Sequence, residues 1–173
     1  MILTGHEIRA CIDRGAIRIM PFRQERLNPN SYNMTLASVL KMYRDPVLST
    51  KIENHTEDLC IPEAGLLLTP GRLYLGSTVE WTETPYHAPM IEGRSSIGRL
   101  GLSVHVTAGF GDIGFKGTWT LEMTVVQPLR IYAGLEICQI CFIKPLGKIA
   151  ERYDGRYQGQ REPQASRLHI ETR

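Results

Sequence analysis

From Thr118 to Val125 apolar and polar residues alternate without a break. Trp119, Leu121, Met123 and Val125 fall on one side of an extended chain, and Thr118, Thr120, Glu122 and Thr124 on the other. A period of two marks a strand with one buried face. Leu135 to Ile143 is nearly continuous in apolar residues, as a strand buried on both faces requires. Leu73 to Trp81, apolar and β-branched, follows the turn signal Pro70-Gly71 and predicts a third strand. The one clear helical segment is short. Thr4-Gly5-His6-Glu7 reads as a capping box, in which hydroxyl and carboxylate satisfy free N–H groups. Ile8, Cys11 and Ile12 then form an apolar stripe, and Gly15 supplies the stop. Many short strands parted by Gly and Pro turns predict a mainly β barrel or sandwich.

Composition narrows the class without naming it. A chain of 173 residues fits one domain and buries a core without metal or disulfide staples. A net charge of +2 argues against a nucleic-acid scaffold, whose basic residues would gather into a stripe. No apolar run approaches the roughly 18 residues of a membrane span, and the first residues lack the basic region and apolar core of a signal peptide. Cys11, Cys60, Cys138 and Cys141 read as reduced thiols. A soluble, cytoplasmic protein with no membrane or nucleic-acid partner is expected. From Arg152 onward the chain turns polar, with Tyr153 and Tyr157 as its only large aromatics. On composition alone this segment suits a frayed terminus as well as a functional one.

Two literal motifs fail on context. Gly109-Phe110-Gly111-Asp112-Ile113-Gly114 matches G-x-G-x-x-G, but a dinucleotide fingerprint must open a helix, and turn and strand residues follow here. The glycines instead suit a loop that approaches a ligand closely or takes positive φ. Cys138-Gln139-Ile140-Cys141 lacks a second ligand pair for zinc, and residues three apart on a strand face opposite ways, so two core thiols are expected. The zinc deaminase pattern, H-x-E with a later P-C-x-x-C, is absent as well.

Three other features carry more chemistry. Arg94-Ser95-Ser96-Ile97-Gly98-Arg99 sets two guanidinium groups around two hydroxyls at the predicted start of a short helix. That combination suits a phosphate site, and equally a solvated turn. Glu122 is one carboxylate among threonines on a polar strand face. It reads either as an exposed glutamate or as a partly desolvated proton carrier. His105, between Val104 and Val106, reads as a structural histidine rather than a base.

Together these residues resemble the dCTP deaminases of the dUTPase-like superfamily. Glu92-Gly93-Arg94-Ser95-Ser96-Ile97-Gly98-Arg99-Leu100-Gly101-Leu102 is similar to that family's E/D-G-R/K-S-S-L-x-R-L-G-L block. Val106 to Asp112 follows, and then Gly117-Thr118-Trp119-Thr120-Leu121-Glu122. Gly134 to Gln139 resembles P-G-x-x-I-x-Q, Tyr157-Gln158-Gly159-Gln160-Arg161 resembles the C-terminal tail, and Asn28-Pro29-Asn30-Ser31 an N-terminal block. The resemblance implies a dUTPase-like distorted β-barrel or jelly roll over residues 1–151, closed by a tail over 152–173. It implies a homotrimer with active sites between subunits, and zinc-independent removal of the 4-amino group of dCTP.

Carried over by resemblance, Glu122 is the general base and acid. Ser95, Arg99 and the Ala108 carbonyl hold the attacking water. Arg94, Ser96, Arg156 and Gln160 meet the triphosphate, and Asp112 the deoxyribose. Ile97, Gly98, Thr120, Leu121, Gln139 and Tyr153 complete the nucleotide contacts. Mg²⁺ is expected on the substrate phosphates and not on a protein ligand set, with dUTP and dTTP as further ligands. Gly109-Phe110 resembles the bifunctional members, which form dUMP and pyrophosphate, more than the single-activity members, which carry His-Arg and release dUTP. A plain dUTPase and a silent dCTP- or dTTP-sensing trimer are the competing readings. Three positions depart from the pattern: Ile113 replaces a proline, Asn33 a carboxylate and Arg156 a lysine.

Overall fold

The computed structural model describes residues 1–105 and 107–170; Val106, part of the second resemblance block, and residues 171–173 lie outside them. Helix α1 spans Gly5–Asp13, followed by strands β1 (Arg18–Met20), β2 (Tyr32–Thr35), β3 (Val39–Tyr43), β4 (Thr56–Cys60) and β5 (Leu66–Leu68). Next come β6 (Tyr74–Ser77), β7 (Trp81–Glu83), β8 (Ala88–Gly93), the one-turn helix α2 (Ser95–Gly98) and β9 (Leu102–Val104). The last strands are β10 (Lys116–Gly117), β11 (Thr120–Val125), β12 (Leu129–Ile131) and β13 (Glu136–Ile143).

Two antiparallel sheets carry most of the fold. One runs β4-β3-β6-β11-β9 and the other β2-β13-β8; β1-β7-β10 and β12-β5 are smaller. The core lies between them, with Tyr32, Leu36, Leu40, Leu121, Met123, Ile140 and Phe142 fully buried. The mainly β fold expected from the sequence is the one found.

The period of two holds on β11: Leu121, Met123 and Val125 are buried, while Thr120, Glu122 and Thr124 are half-exposed. Thr118, expected on the polar face, is buried before the strand begins. On β13, Ile137, Cys138, Ile140 and Phe142 are buried, and a bulge between Glu136 and Cys138 lets neighbouring residues turn inward. Beyond the bulge the register is regular, yet Ile140, Cys141 and Phe142 are buried in succession, so both faces of the strand are covered.

Two expectations need correction. Only half of the capping box forms. Thr4 Oγ1 accepts from the Glu7 amide at 3.3 Å, but the Glu7 carboxylate turns to Arg14 Nη2 at 2.7 Å. The expected strand Leu73–Trp81 breaks into β6 and β7, which belong to different sheets. The cause is Glu80. Its buried carboxylate accepts from the Thr35 amide at 2.8 Å and the Thr35 hydroxyl at 2.9 Å, and it pairs with Arg26. An acid held that tightly in the interior stops the chain from continuing in register.

The tail is docked, contrary to the frayed reading. The Tyr153 amide donates to Ile113 O, the Gly159 amide to Lys116 O and the Thr118 amide to Gln160 O, all within 2.9 Å. Further along, Gln164 N reaches Thr120 Oγ1 at 3.0 Å and Ser166 N reaches the Tyr43 hydroxyl at 2.9 Å. Among the described residues no helix is long and apolar enough to cross a membrane.

Candidate active site

Glu122 projects from the polar face of β11 into a cavity of about 490 Å³. Its floor is Thr120, Trp119, Leu73 and Leu75. One wall is the loop bearing His105, Ala108 and Phe110–Asp112, and the tail closes the other with Tyr153, Tyr157, Gln160 and Gln164–Ser166. Aromatic walls around a few polar groups suit a planar, hydrogen-bonding ligand.

His105 is the residue the sequence reading undervalued. It follows β9 with φ of 51°, its side chain is 4% exposed, and Nδ1 lies 2.5 Å from Glu122 Oε2. Few non-glycine residues occupy this left-handed region. With the proton on Nδ1, the imidazole donates to one carboxylate oxygen and leaves Oε1 without that contact. No periodicity marked the pair, because His105 stands outside any strand and 17 positions from Glu122.

The glycine-rich loop keeps this wall in place. The Ile91 amide donates to Gly109 O at 2.7 Å and the Gly111 amide to Pro89 O at 2.8 Å, pinning the loop to β8. A Cβ on Gly109 would stand 2.4 Å from Ile91 O, and one on Gly111 2.5 Å from the Trp119 ring. Close approach is therefore needed, as expected, but to the protein's own strand and ring. Ile113, in place of a proline, offers its carbonyl to the Tyr153 amide and so anchors the tail beside Asp112.

The second cluster lies elsewhere. Arg94 caps α2, Ser95, Ser96, Gly98 and Arg99 are exposed, and Ile97 is buried. None of these six lines the Glu122 cavity. Gln139, on β13, accepts from Ser31 Oγ at 2.7 Å and donates to Gly93 O, again outside the cavity. Leu121 points into the core, Gly109 lies behind the wall, and Arg156 lies in the tail with its carbonyl bonded to Arg167. One chain thus gathers Glu122, Ala108, Phe110, Asp112, Thr120, Tyr153 and Gln160 in one cavity. It presents the Arg94–Arg99 surface separately.

Gln160 ties tail to floor: its amide Nε2 donates to Thr118 O at 2.7 Å and Thr120 Oγ1 at 3.3 Å, while its buried Oε1 has no partner among the described residues. Cys138 and Cys141 are both buried, and burial pushes both thiols up. Such thiols stay protonated and are poor metal ligands. Among the described residues no three His, Cys, Asp or Glu side chains are grouped to share a metal ion.

This arrangement, a carboxylate beneath a tail in an all-β frame with a separate arginine-serine turn, has clear relatives. A family model described as dCTP deaminase-like matches residues 2–144. The dUMP-forming dCTP deaminase of Clostridium botulinum (strain Alaska E43) is 54% identical over 169 residues, covering 98% of this chain and 97% of the relative. The enzymes of the same name from Leptospira biflexa and Clostridium acetobutylicum are 53% and 50% identical over the same shares. The crystal structure of 2'-deoxycytidine 5'-triphosphate deaminase from Agrobacterium tumefaciens superposes with a TM-score of 0.61 at 21% identity. It covers 83% of this chain and 48% of that one, a likeness of fold. The chain belongs to the dCTP deaminase-like family.

Proposed function

We propose that this protein hydrolyses the 4-amino group of dCTP and carries the product on to dUMP and pyrophosphate. The observation that carries the reading is Glu122. It is a carboxylate in a tail-covered cavity, with one oxygen bonded to His105 and the Ala108 segment in the facing wall. Water adds to C4 of the cytosine as Glu122 accepts its proton and passes it to the ring nitrogen. The remaining hydroxyl proton leaves by the same carboxylate to the departing ammonia, restoring the carbonyl. The apolar wall and the docked tail limit the access of bulk water to the carboxylate.

The separation of Arg94–Arg99 from the cavity supports a homotrimer with sites between subunits. In that assembly Ser95 and Arg99 of a neighbour hold the water against Glu122, and Arg94 and Ser96 meet the triphosphate. Arg156 and Gln160 reach it from the tail, which over 152–173 acts as the closing segment. Mg²⁺ would accompany dCTP as part of the substrate and offset its phosphate charge, with Arg94, Arg156 and Gln160 meeting the same phosphates. The dUMP product is supported by the names of the relatives and by Gly109-Phe110, the pair that resembles the bifunctional members. Both dUTP, as intermediate, and dTTP fit as further ligands of the same cavity.

The test is purified protein with dCTP and Mg²⁺, with ammonia measured and nucleotides separated. Ammonia and dUMP in equal amounts are expected, with Glu122→Gln releasing neither at more than about 10⁻² of the wild-type rate. Accumulating dUTP identifies the single-activity reaction. Conversion of dUTP without ammonia from dCTP identifies a plain dUTPase, and tight dCTP binding without product a sensing trimer.

A further inference from the structure

Arg94 ends a chain of alternating charges that begins deep in the protein. Glu80, fully buried, pairs with Arg26, whose side chain is 17% exposed. Arg26 Nε stands 3.8 Å from Glu136 Oε1, and Glu136 Oε2 stands 3.2 Å from Arg94 Nη1. Asn33 Nδ2 donates to the same Glu136 oxygen at 2.9 Å, and Asn28 Nδ2 fixes Asn33 by donating to its Oδ1 at 2.7 Å. Asn28 also reaches Ser31 Oγ, which holds Gln139. One polar network therefore grips both Arg94 and Gln139 from behind.

The geometry is one-sided. Arg94 uses only Nη1, which donates to the Glu136 carbonyl at 2.8 Å and faces its carboxylate. Among the described residues Nε and Nη2 have no partner, so a two-pronged edge of the guanidinium is left for an oxyanion. A long arginine side chain loses rotamer freedom on binding unless something orders it first. Glu136 orders it, and the acid is itself held in place by Asn33 and Arg26. Asparagine suits position 33 here, because a carboxylate there would stand against the Glu136 oxygen.

We infer that Glu136, braced by Asn33 and Arg26, is a positioning residue that presets Arg94 for the nucleotide phosphates without touching substrate. This rests on the reading of Arg94 as a triphosphate contact, and the test separates the two. In the full-length protein with dCTP and Mg²⁺, Glu136→Gln keeps the backbone contact but removes the charge. Its KM for dCTP should rise about tenfold, with kcat within about twofold. Glu136→Asp, which restores the charge, should recover a substantial part of that rise. Arg94→Ala should raise KM at least as far, and the Arg94→Ala/Glu136→Gln double variant no further than Arg94→Ala alone. If Arg94→Ala leaves KM unchanged, the phosphate reading of Arg94 fails. If Arg94→Ala raises KM while Glu136→Gln does not, or if the two effects add, positioning by Glu136 is overturned. Thermal melts of each variant check the fold, and a Glu136→Gln protein that melts early with unchanged KM also counts against the inference.

Discussion

The His105 imidazole meets the Glu122 carboxylate at 2.5 Å, and the backbone of His105 sits in the left-handed region to reach it. For a residue with a Cβ that conformation costs on the order of 1 kcal/mol, so the surrounding packing holds it there. The pair also bridges two strand ends, since Val104 of β9 faces Met123 of β11.

Removing the imidazole should therefore loosen the carboxylate. His105→Ala is expected to lower kcat for ammonia release about 10- to 100-fold, with KM for dCTP nearly unchanged. His105→Asn should recover part of the loss, because asparagine tolerates the same φ and offers an amide donor. Steady-state kinetics on both variants decide this. An unchanged kcat in the alanine variant would show that Glu122 needs no help from His105.

The proposed placement of each site between two subunits predicts complementation. Glu122→Gln and Arg99→Ala proteins should each be nearly silent alone. The co-expressed population should regain about a quarter of wild-type activity, since half of the chains keep Glu122 and half of their neighbours keep Arg99. Sizing and ammonia release on the mixture are the measurements. Silence in properly mixed trimers would place both residues of a working site on one chain.

Glu80, just before β7, is fully buried, with Arg26 and two groups of Thr35 at the end of β2 depending on it. Glu80→Ala leaves the largely buried Arg26 guanidinium with only the more distant Glu136 carboxylate and strips the Thr35 amide and hydroxyl of their acceptor, and about 3 kcal/mol of stability should be lost. Glu80→Gln, which keeps an acceptor, should lose less. Urea unfolding midpoints compare the two.

A pH dependence follows from His87, which is 7% exposed and whose Nδ1 has no partner among the described residues. Burial first, and the nearby Arg14 next, hold its pKa below the ordinary 6.5. The unfolded chain then takes up a proton near 6.5, and the folded one only at lower pH. Stability should fall as pH drops below about 6.5 and level off once the folded site is protonated; above that range His87 contributes no slope. Melting temperatures of His87→Gln should decline less between pH 7 and pH 5 than those of the wild type. Parallel profiles would mean that His87 is readily protonated in the folded protein.

Much of this was legible in the chain itself. Alternation over Thr118 to Val125 puts Glu122 on the outer face of a strand, and Ser95 or Ser96 falls near the start of a short helix, because both rules depend only on near neighbours in sequence. The resemblance blocks led to the same residues and to the family. Local rules failed where a distant partner intervened. Leu73 to Trp81 reads as one strand until Thr35 and Arg26 capture the Glu80 carboxylate. Composition alone leaves the tail between a frayed end and a functional segment until Lys116, Thr120 and Tyr43 bind it.

The sequence by itself thus determined the family and which face of β11 bears the Glu122 carboxylate. Tertiary structure alone decided their company. His105 is set against Glu122, Glu136 behind Arg94, and the Arg94–Arg99 turn apart from the cavity. Hydrophobic period is a property of neighbouring residues, whereas those pairings arise from antiparallel registers such as Val104 with Met123 and Gly93 with Cys138. Registers are fixed by burial of the whole sheet, and so by residues far from either member of a pair.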